Sequence, residues 1–334
     1  MNGTVSEIRE RLSDVNIVSF SGGKDSTVVL RHVLSALDGQ KLYIVTADTL
    51  MEIPYYRDYL DGVNGRIRRH IERMPNVELV TVRPSYRDSF WTSVLGKGYP
   101  AAHMGFRWCT GKLKIDPISK FTRGVAKGGS YTVFIGVRAA ESDLRAKIYG
   151  RKDYKPHHFA PILDWTSHDV WEYLLSEPCP WGGDHSDLVE VYRYSSDECV
   201  YGEKQGVCVG NARYGCWACP LQKSSQLDMV GFHTGDAERY AALKRYKKML
   251  TSLANRSACR SRIRRDGSPG TGPFLVPVRR RLYADLKKLE SRTGWNLIEN
   301  EEEECIFAHW KADENVHDTA DPTQPLLWGM MAAT

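Results

Sequence analysis

A short apolar run at residues 15–20 and a stretch with helical periodicity at 27–37 are joined by only six residues, Ser21-Gly22-Gly23-Lys24-Asp25-Ser26. Nothing else in the chain restricts the fold as much. A strand delivered straight into a helix leaves the first amides of that helix unpaired, and their N–H groups together with the helix dipole favour an anion. Two glycines allow close backbone approach, Lys24 adds positive charge, and Ser21 and Ser26 add hydroxyl donors. An ordinary strand-to-helix turn needs neither the second glycine nor the lysine. The spacing is not G-x-x-x-x-G-K-[ST] and not G-x-G-x-x-G, so readings as a motor-type NTPase or a dehydrogenase fall away.

The alternation continues with apolar runs at 42–47, 77–82 and 131–136 and helical stretches at 55–73, 114–125 and 169–175. Repeated βαβ units predict an α/β fold, a doubly wound and mostly parallel sheet with helices on both faces. After residue 177 the composition turns to Pro, Gly, Asp, Tyr and Cys, and helical periodicity returns only at 237–250 and 279–292. We therefore expect a nucleotide-binding α/β domain at 1–178 and a second domain at 179–334, joining a cysteine cluster to basic helices. The stretch 199–219 is too poor in apolar residues to pack alone and needs something other than a hydrophobic core. The tail 313–334, with few periodic features, is expected to be partly disordered.

No uncharged apolar run approaches the roughly 20 residues needed to cross a bilayer, and acidic residues stand where a secretory signal would have its apolar core. The expected location is the cytoplasm, with no membrane partner. Lys and Arg number 46 against 41 Asp and Glu, a mild excess of +5, so the placement of charge says more than its sum. Arg256, Arg260, Arg262, Arg264 and Arg265 crowd one stretch that runs into Gly and Pro, and Arg279, Arg280 and Arg281 follow. A mobile loop of that charge can track a phosphate backbone, as in DNA. The acidic run at 301–304 reads as a solvated face.

Eight cysteines in an intracellular chain argue against a disulfide framework. Four cluster as Cys199, Cys208, Cys216 and Cys219, a close spacing that suits a tetrahedral metal or an iron–sulfur cluster and does not separate zinc from 4Fe–4S. Cys109 stands between Arg107 and Lys112, where its thiolate would be favoured and could carry sulfur; the competing reading, of equal weight, is a small buried hydrophobe. Cys179, Cys259 and Cys305 read as structural.

The string 21–26 resembles the PP-loop of ATP pyrophosphatases, which cleave ATP between the α and β phosphates, and the related loop of sulfonucleotide reductases, which bind a nucleotide without cleaving it. Three further strings resemble the phosphoadenylyl-sulfate reductase superfamily: Ala47-Asp48-Thr49, Arg107-Trp108-Cys109-Thr110 leading into Lys112 and Lys114, and Gly136-Val137-Arg138-Ala139-Ala140-Glu141-Ser142. Within it, Cys216-Trp217-Ala218-Cys219 followed by Lys223, and the RRDG and GPF strings within 262–274, are similar to the DndC and SspD sulfurtransferases of DNA phosphorothioation. The resemblance spans the chain from the loop to the basic segment.

That resemblance implies an adenine nucleotide alpha hydrolase-like fold. It implies ATP with Mg at Ser21, Gly22, Gly23, Lys24, Asp25 and Ser26, joined by Asp48 and Arg138, with Asp25 either helping to hold Mg or capping the helix. Lys24, Asp25, Cys109 and Arg138 would be catalytic, and the four clustered cysteines would hold a 4Fe–4S cluster. The partners would be DNA, a cysteine desulfurase and other phosphorothioation proteins of a restriction-modification system. Alternatives are a sulfonucleotide reductase, a non-catalytic DNA-binding subunit with ATP as ligand, and an RNA-thiolating enzyme.

Overall fold

The computed structural model describes residues 2–103, 106–141, 143–195, 215–221 and 225–314. Cys199, Cys208, Lys223 and the expected disordered tail from 315 onward lie outside the described residues. Two compact units interleave along the sequence. Met1–Asp48, Ile53–Arg83 and Ile115–Tyr214 make one; Thr49–Glu52, Pro84–Lys114 and Gly215–Thr334 make the other. The chain thus passes repeatedly from one unit to the other instead of crossing once near residue 178.

The first unit is built on five strands: β1 (Val15–Ser19), β2 (Lys41–Ala47), β3 (Val77–Val82), β4 (Tyr131–Ile135) and β5 (His158–Phe159). They form one parallel sheet in the order β3-β2-β1-β4-β5. Its helices are α1 (Asn2–Arg11), α2 (Lys24–Ala36), α3 (Pro54–Ile71), α4 (Asp116–Ala126), α5 (Ser167–Ser176) and α6 (Ser186–Ser195). Parallel strands need crossover helices, and cover from those helices buries the centres of β1, β2 and β4, while β3 keeps Glu78 and Thr81 exposed. Ile17, Val45, Val82 and Val133 form a core cluster closed by Ile118, Phe121 and Val125 of α4. Asn16 in β1 is fully buried but donates to Ser13 O at 2.8 Å and Lys41 O at 3.2 Å. A capping box starts α5: Thr166 Oγ1 accepts from Asp169 N at 3.2 Å while Asp169 accepts from Thr166 N at 2.7 Å.

The second unit contains α7 (Ser225–Thr234), α8 (Ala237–Ala254), α9 (Val276–Thr293) and α10 (Asn300–Glu314). Its centre is aromatic: Trp91 meets Trp217 and Tyr246 at ring-centroid distances of 5.8 and 5.9 Å. The polar handles of Trp91 and Tyr246 are satisfied, Trp91 Nε1 donating to Leu297 O at 2.6 Å and Tyr246 Oη to Leu282 O at 2.9 Å. At the described end of the cysteine stretch Trp217 and Ala218 are buried, and Trp217 joins that cluster, so this end has a hydrophobic setting; the rest of the stretch, 199–214, lies outside the described residues.

Two charge readings also change. The acidic run opens α10, where the helix dipole favours it. Only half of it is a solvated face: Glu301 and Glu304 are exposed, whereas Glu302 is buried and Glu303 takes Tyr283 Oη at 3.1 Å and Lys287 Nζ at 2.9 Å. Residues 259–275 form an ordered antiparallel hairpin rather than a mobile loop. Leu275 N donates to Cys259 O, Ser261 N to Pro273 O, and Arg264 N to Ser268 O across it. At its base Phe274 is fully buried and its N–H donates to Gly98 O at 2.8 Å. No described helix is long and apolar enough to cross a membrane.

Candidate functional site

Ser19 of β1 pairs with Val45 of β2 on one side and Ile135 of β4 on the other, so β1 ends where the strand order reverses. In open α/β sheets the crevice at that switch point is where ligands bind. The loop 21–26 leaves β1 there, and Gly136-Val137-Arg138 leaves β4 beside it. Their approach depends on Gly136: a Cβ at that position would stand 2.8 Å from both Asp25 C and Ser26 N. Gly22 has φ +73 and a side chain there would run into Leu60.

Helix α2 starts with Gly23 as N-cap and with no side-chain cap, so Asp25 does not cap it and stands in the first turn. Inside the loop, Ser26 Oγ donates to Gly23 O at 2.9 Å and accepts from Ser21 N at 3.2 Å. Two tyrosines of α3 brace the loop from outside, Tyr56 Oη donating to Ser21 O and Tyr59 Oη to Gly22 O at 2.9 Å. Two buried cations converge on one carboxylate. Arg138 Nε meets Asp25 Oδ1 at 2.6 Å, and Lys24 Nζ lies 3.7 Å from Asp25 Oδ2. Asp48, just beyond β2, is gripped by Arg83 through Nε and Nη2, both at 2.8 Å. The result is a helix start with a buried lysine and a buried arginine beside it, suited to a polyanion. Bound Mg would lean chiefly on phosphate oxygens, with Asp25 the loop carboxylate at hand.

In the second unit, Cys109 lies on the helical turn Trp108–Thr110, whose Trp108 Nε1 donates to Pro100 O at 3.1 Å. Its thiol is pushed up by burial, then by the nearby charge of Cys219, which corrects the expectation of a favoured thiolate. Lys112 does not serve it, because its ammonium is bound to Asp88 Oδ1 at 2.5 Å. The Lys112 bond, joined by Lys97, holds the Asp88 carboxyl down at about 2.

Cys216 and Cys219 share a tight turn, with Cys219 N donating to Cys216 O at 2.9 Å. Residues 49–52 pin this turn: Trp217 N donates to Met51 O at 2.9 Å, and Thr49 Oγ1 lies 3.5 Å from Cys216 Sγ. Glu52 orders the segment by accepting from Thr49 N, Thr49 Oγ1 and Met51 N. Burial, then Glu52, pushes the Cys216 thiol up to about 12, with Lys114 opposing. Such a thiol becomes a thiolate only with a cation to compensate it. A paired-cysteine turn suits a thiolate-bound metal or cluster, yet no described group of three or more His, Cys, Asp or Glu side chains is placed to hold one. Cys199 and Cys208, the other expected ligands, are outside the described residues.

The five arginines divide. Arg260 Nε donates to Gly272 O at 2.7 Å and Arg265 Nε to Lys97 O at 3.0 Å, so both tether the hairpin. Arg256, Arg262 and Arg264 are exposed. Arg265 and Arg279 reach Asp313 at 3.4 and 2.8 Å rather than the acidic run. The residues that sequence reasoning missed are the bracing Tyr56 and Tyr59, the pinning Glu52, and Lys247, a buried lysine whose ammonium is disfavoured by burial while Cys219 opposes the effect. Thr49 and Gly136 stood within the resembling strings, but with no role of their own.

Comparison with known proteins gives the frame. Two uncharacterized proteins of Methanocaldococcus jannaschii are 29% and 28% identical over 232 and 212 residues, covering 68% and 62% of this chain. The chain matches only 41% and 42% of their lengths. A phosphoadenosine 5'-phosphosulfate reductase of Xylella fastidiosa is 25% identical over 167 residues, 49% of this chain and 64% of that protein. The model of the phosphoadenosine phosphosulfate reductase domain matches residues 15–182, half of the sequence and all five strands, and the chain belongs to that family.

Proposed function

We propose that this protein is an ATP-dependent sulfurtransferase acting on the DNA backbone. The observation that carries the reading is a pair of thiol-bearing segments, around Cys109 and Cys216–Cys219, in one unit with an ordered arginine hairpin, on a chain that also has the anion loop. In this reading a DNA phosphate oxygen attacks the α-phosphorus of ATP and pyrophosphate leaves. The helix-start amides, Lys24 and Arg138 take up the charge that develops on the departing phosphates. The outer sulfur of a persulfide, supplied by a cysteine desulfurase, then attacks the activated phosphorus and expels AMP; a second cysteine thiol breaks the remaining S–S bond, leaving a phosphorothioate on DNA and a protein disulfide that an added dithiol reductant returns to thiols. The exposed Arg256, Arg262 and Arg264 draw in the polyanionic substrate. An iron–sulfur cluster on Cys199, Cys208, Cys216 and Cys219 would take up all four clustered cysteines.

The second reading, a sulfonucleotide reductase, is favoured by the match to the Xylella fastidiosa reductase. Against it, Cys305, the one cysteine toward the C-terminal end, is fixed within α10. The test is transfer of ³⁵S from labelled cysteine into DNA by anaerobically purified protein with ATP and a cysteine desulfurase. Label should enter DNA only with ATP present. Unlabelled DNA together with release of sulfite from phosphoadenylyl sulfate would establish the reductase reading instead.

A further inference from the structure

Helix α6 is tied to α3 by the Arg66–Asp187 ion pair at 2.7 Å and carries Tyr192 toward the anion loop. The Tyr192 hydroxyl accepts a hydrogen bond from the Lys24 backbone N–H at 3.2 Å, and a Cβ on Gly23 would lie 3.1 Å from that same oxygen. Its ring is buried, steadied edge-on by Trp171 at 5.1 Å, and faces the Lys24 ammonium, whose Nζ is 4.9 Å from the ring centroid. The Lys24 amide is the first of α2, one of the groups a bound anion would take. An oxygen of the protein therefore already stands where a phosphate oxygen would be received, and the ring and Asp25 hold the lysine's charge.

We infer that Tyr192 is a phosphate-competing plug: a nucleotide's phosphate enters the loop by displacing the Tyr192 hydroxyl from the Lys24 N–H. This rests on the reading that the loop binds nucleotide phosphate. The exchange replaces a neutral acceptor by an anionic one, and a charge-assisted bond is the stronger of the two. Apparent affinity for any anion falls in proportion to the fraction of time the site stands unplugged. If Tyr192 only capped the helix start, removing its hydroxyl would cost stability and leave anion affinity unchanged or weaker.

The test is calorimetric binding of inorganic pyrophosphate to the full chain and to Tyr192→Phe, which keeps the ring, with Tyr59→Phe as a control that removes a brace from Gly22 O. Tyr192→Phe should bind pyrophosphate about three- to ten-fold more tightly, the range a single hydrogen bond allows, and Tyr59→Phe should bind it no more tightly than the parent. Unchanged or weaker binding by Tyr192→Phe, equal tightening in both variants, or no binding by any of them would overturn the plug. ATP cleavage is scored separately. Tighter pyrophosphate binding without release of AMP would leave the plug standing and remove the sulfurtransferase reading.

Discussion

Replacing Glu302 by Gln should make the protein more stable at pH 8 while changing little in acid. Glu302 is 1% exposed in the first turn of α10, where its Oε2 accepts from Glu299 N at 3.0 Å. Burial raises its carboxyl from 4.5 to about 7, and the bonds from Glu299 N and Ser89 only partly oppose this. As pH rises from 4.5 toward 7 the unfolded chain gives up this proton while the folded chain keeps it. The folded state then binds more protons, so stability falls across that window. At 1.36 kcal/mol per pH unit the loss reaches about 3 kcal/mol by pH 8 and only about 1 kcal/mol at pH 5. Glutamine has the same shape, still accepts from Glu299 N and cannot ionise. Urea unfolding under anaerobic conditions, followed by the fluorescence of buried Trp91 and Trp217, should show the midpoint of Glu302→Gln rising above the parent's by about 1 M or more at pH 8 and by much less at pH 5. A difference of the same size at both pH values, or a variant less stable at pH 8, would refute the reasoning.

Replacing Arg256, Arg262 and Arg264 together by Gln should weaken DNA binding across sequences and flatten its log–log salt dependence by about 0.9 for each phosphate no longer neutralised; an unchanged slope would put the DNA site elsewhere on the protein. Arg265→Gln, which unties Lys97 O and Asp313, should instead lower the melting temperature, by the equivalent of about 1–3 kcal/mol, as calorimetry would record. Cys216→Ser or Cys219→Ser should lose iron and acid-labile sulfide after anaerobic purification; stoichiometric zinc without iron in the parent would contradict the cluster. Lys24→Ala should abolish ATP turnover at an unchanged circular dichroism spectrum, and retained turnover would show that the loop is not the nucleotide site.

The sheet was legible because its longer strands are apolar, β-branched-rich runs punctuated by helical periodicity, and the loop because its glycines and lysine sit at the β1–α2 junction. What stayed hidden depends on contacts distant in sequence. The two-residue β5 has no pattern of its own. Glu302 is indistinguishable in sequence from its exposed neighbour Glu301, and only the packing of α10 buries it. The arginine segment reads as a mobile loop from its Gly and Pro, yet Phe274 and Gly98 fix it as a hairpin. For Cys109, beside two cations in sequence, a favoured thiolate and a small buried hydrophobe stood level; Asp88, 21 residues earlier, claims Lys112 and tips the balance to the second. The approach of Tyr192 to Lys24 spans 168 residues and left no local trace.

The central claim is that ATP is split between its α and β phosphates for the benefit of a DNA phosphate. It is tested most directly by identifying the products of ATP incubated with the anaerobically purified protein, with and without DNA. AMP and pyrophosphate in equal amounts, formed faster when DNA is present, are the expected result. ADP and orthophosphate, or no turnover in either condition, would contradict it.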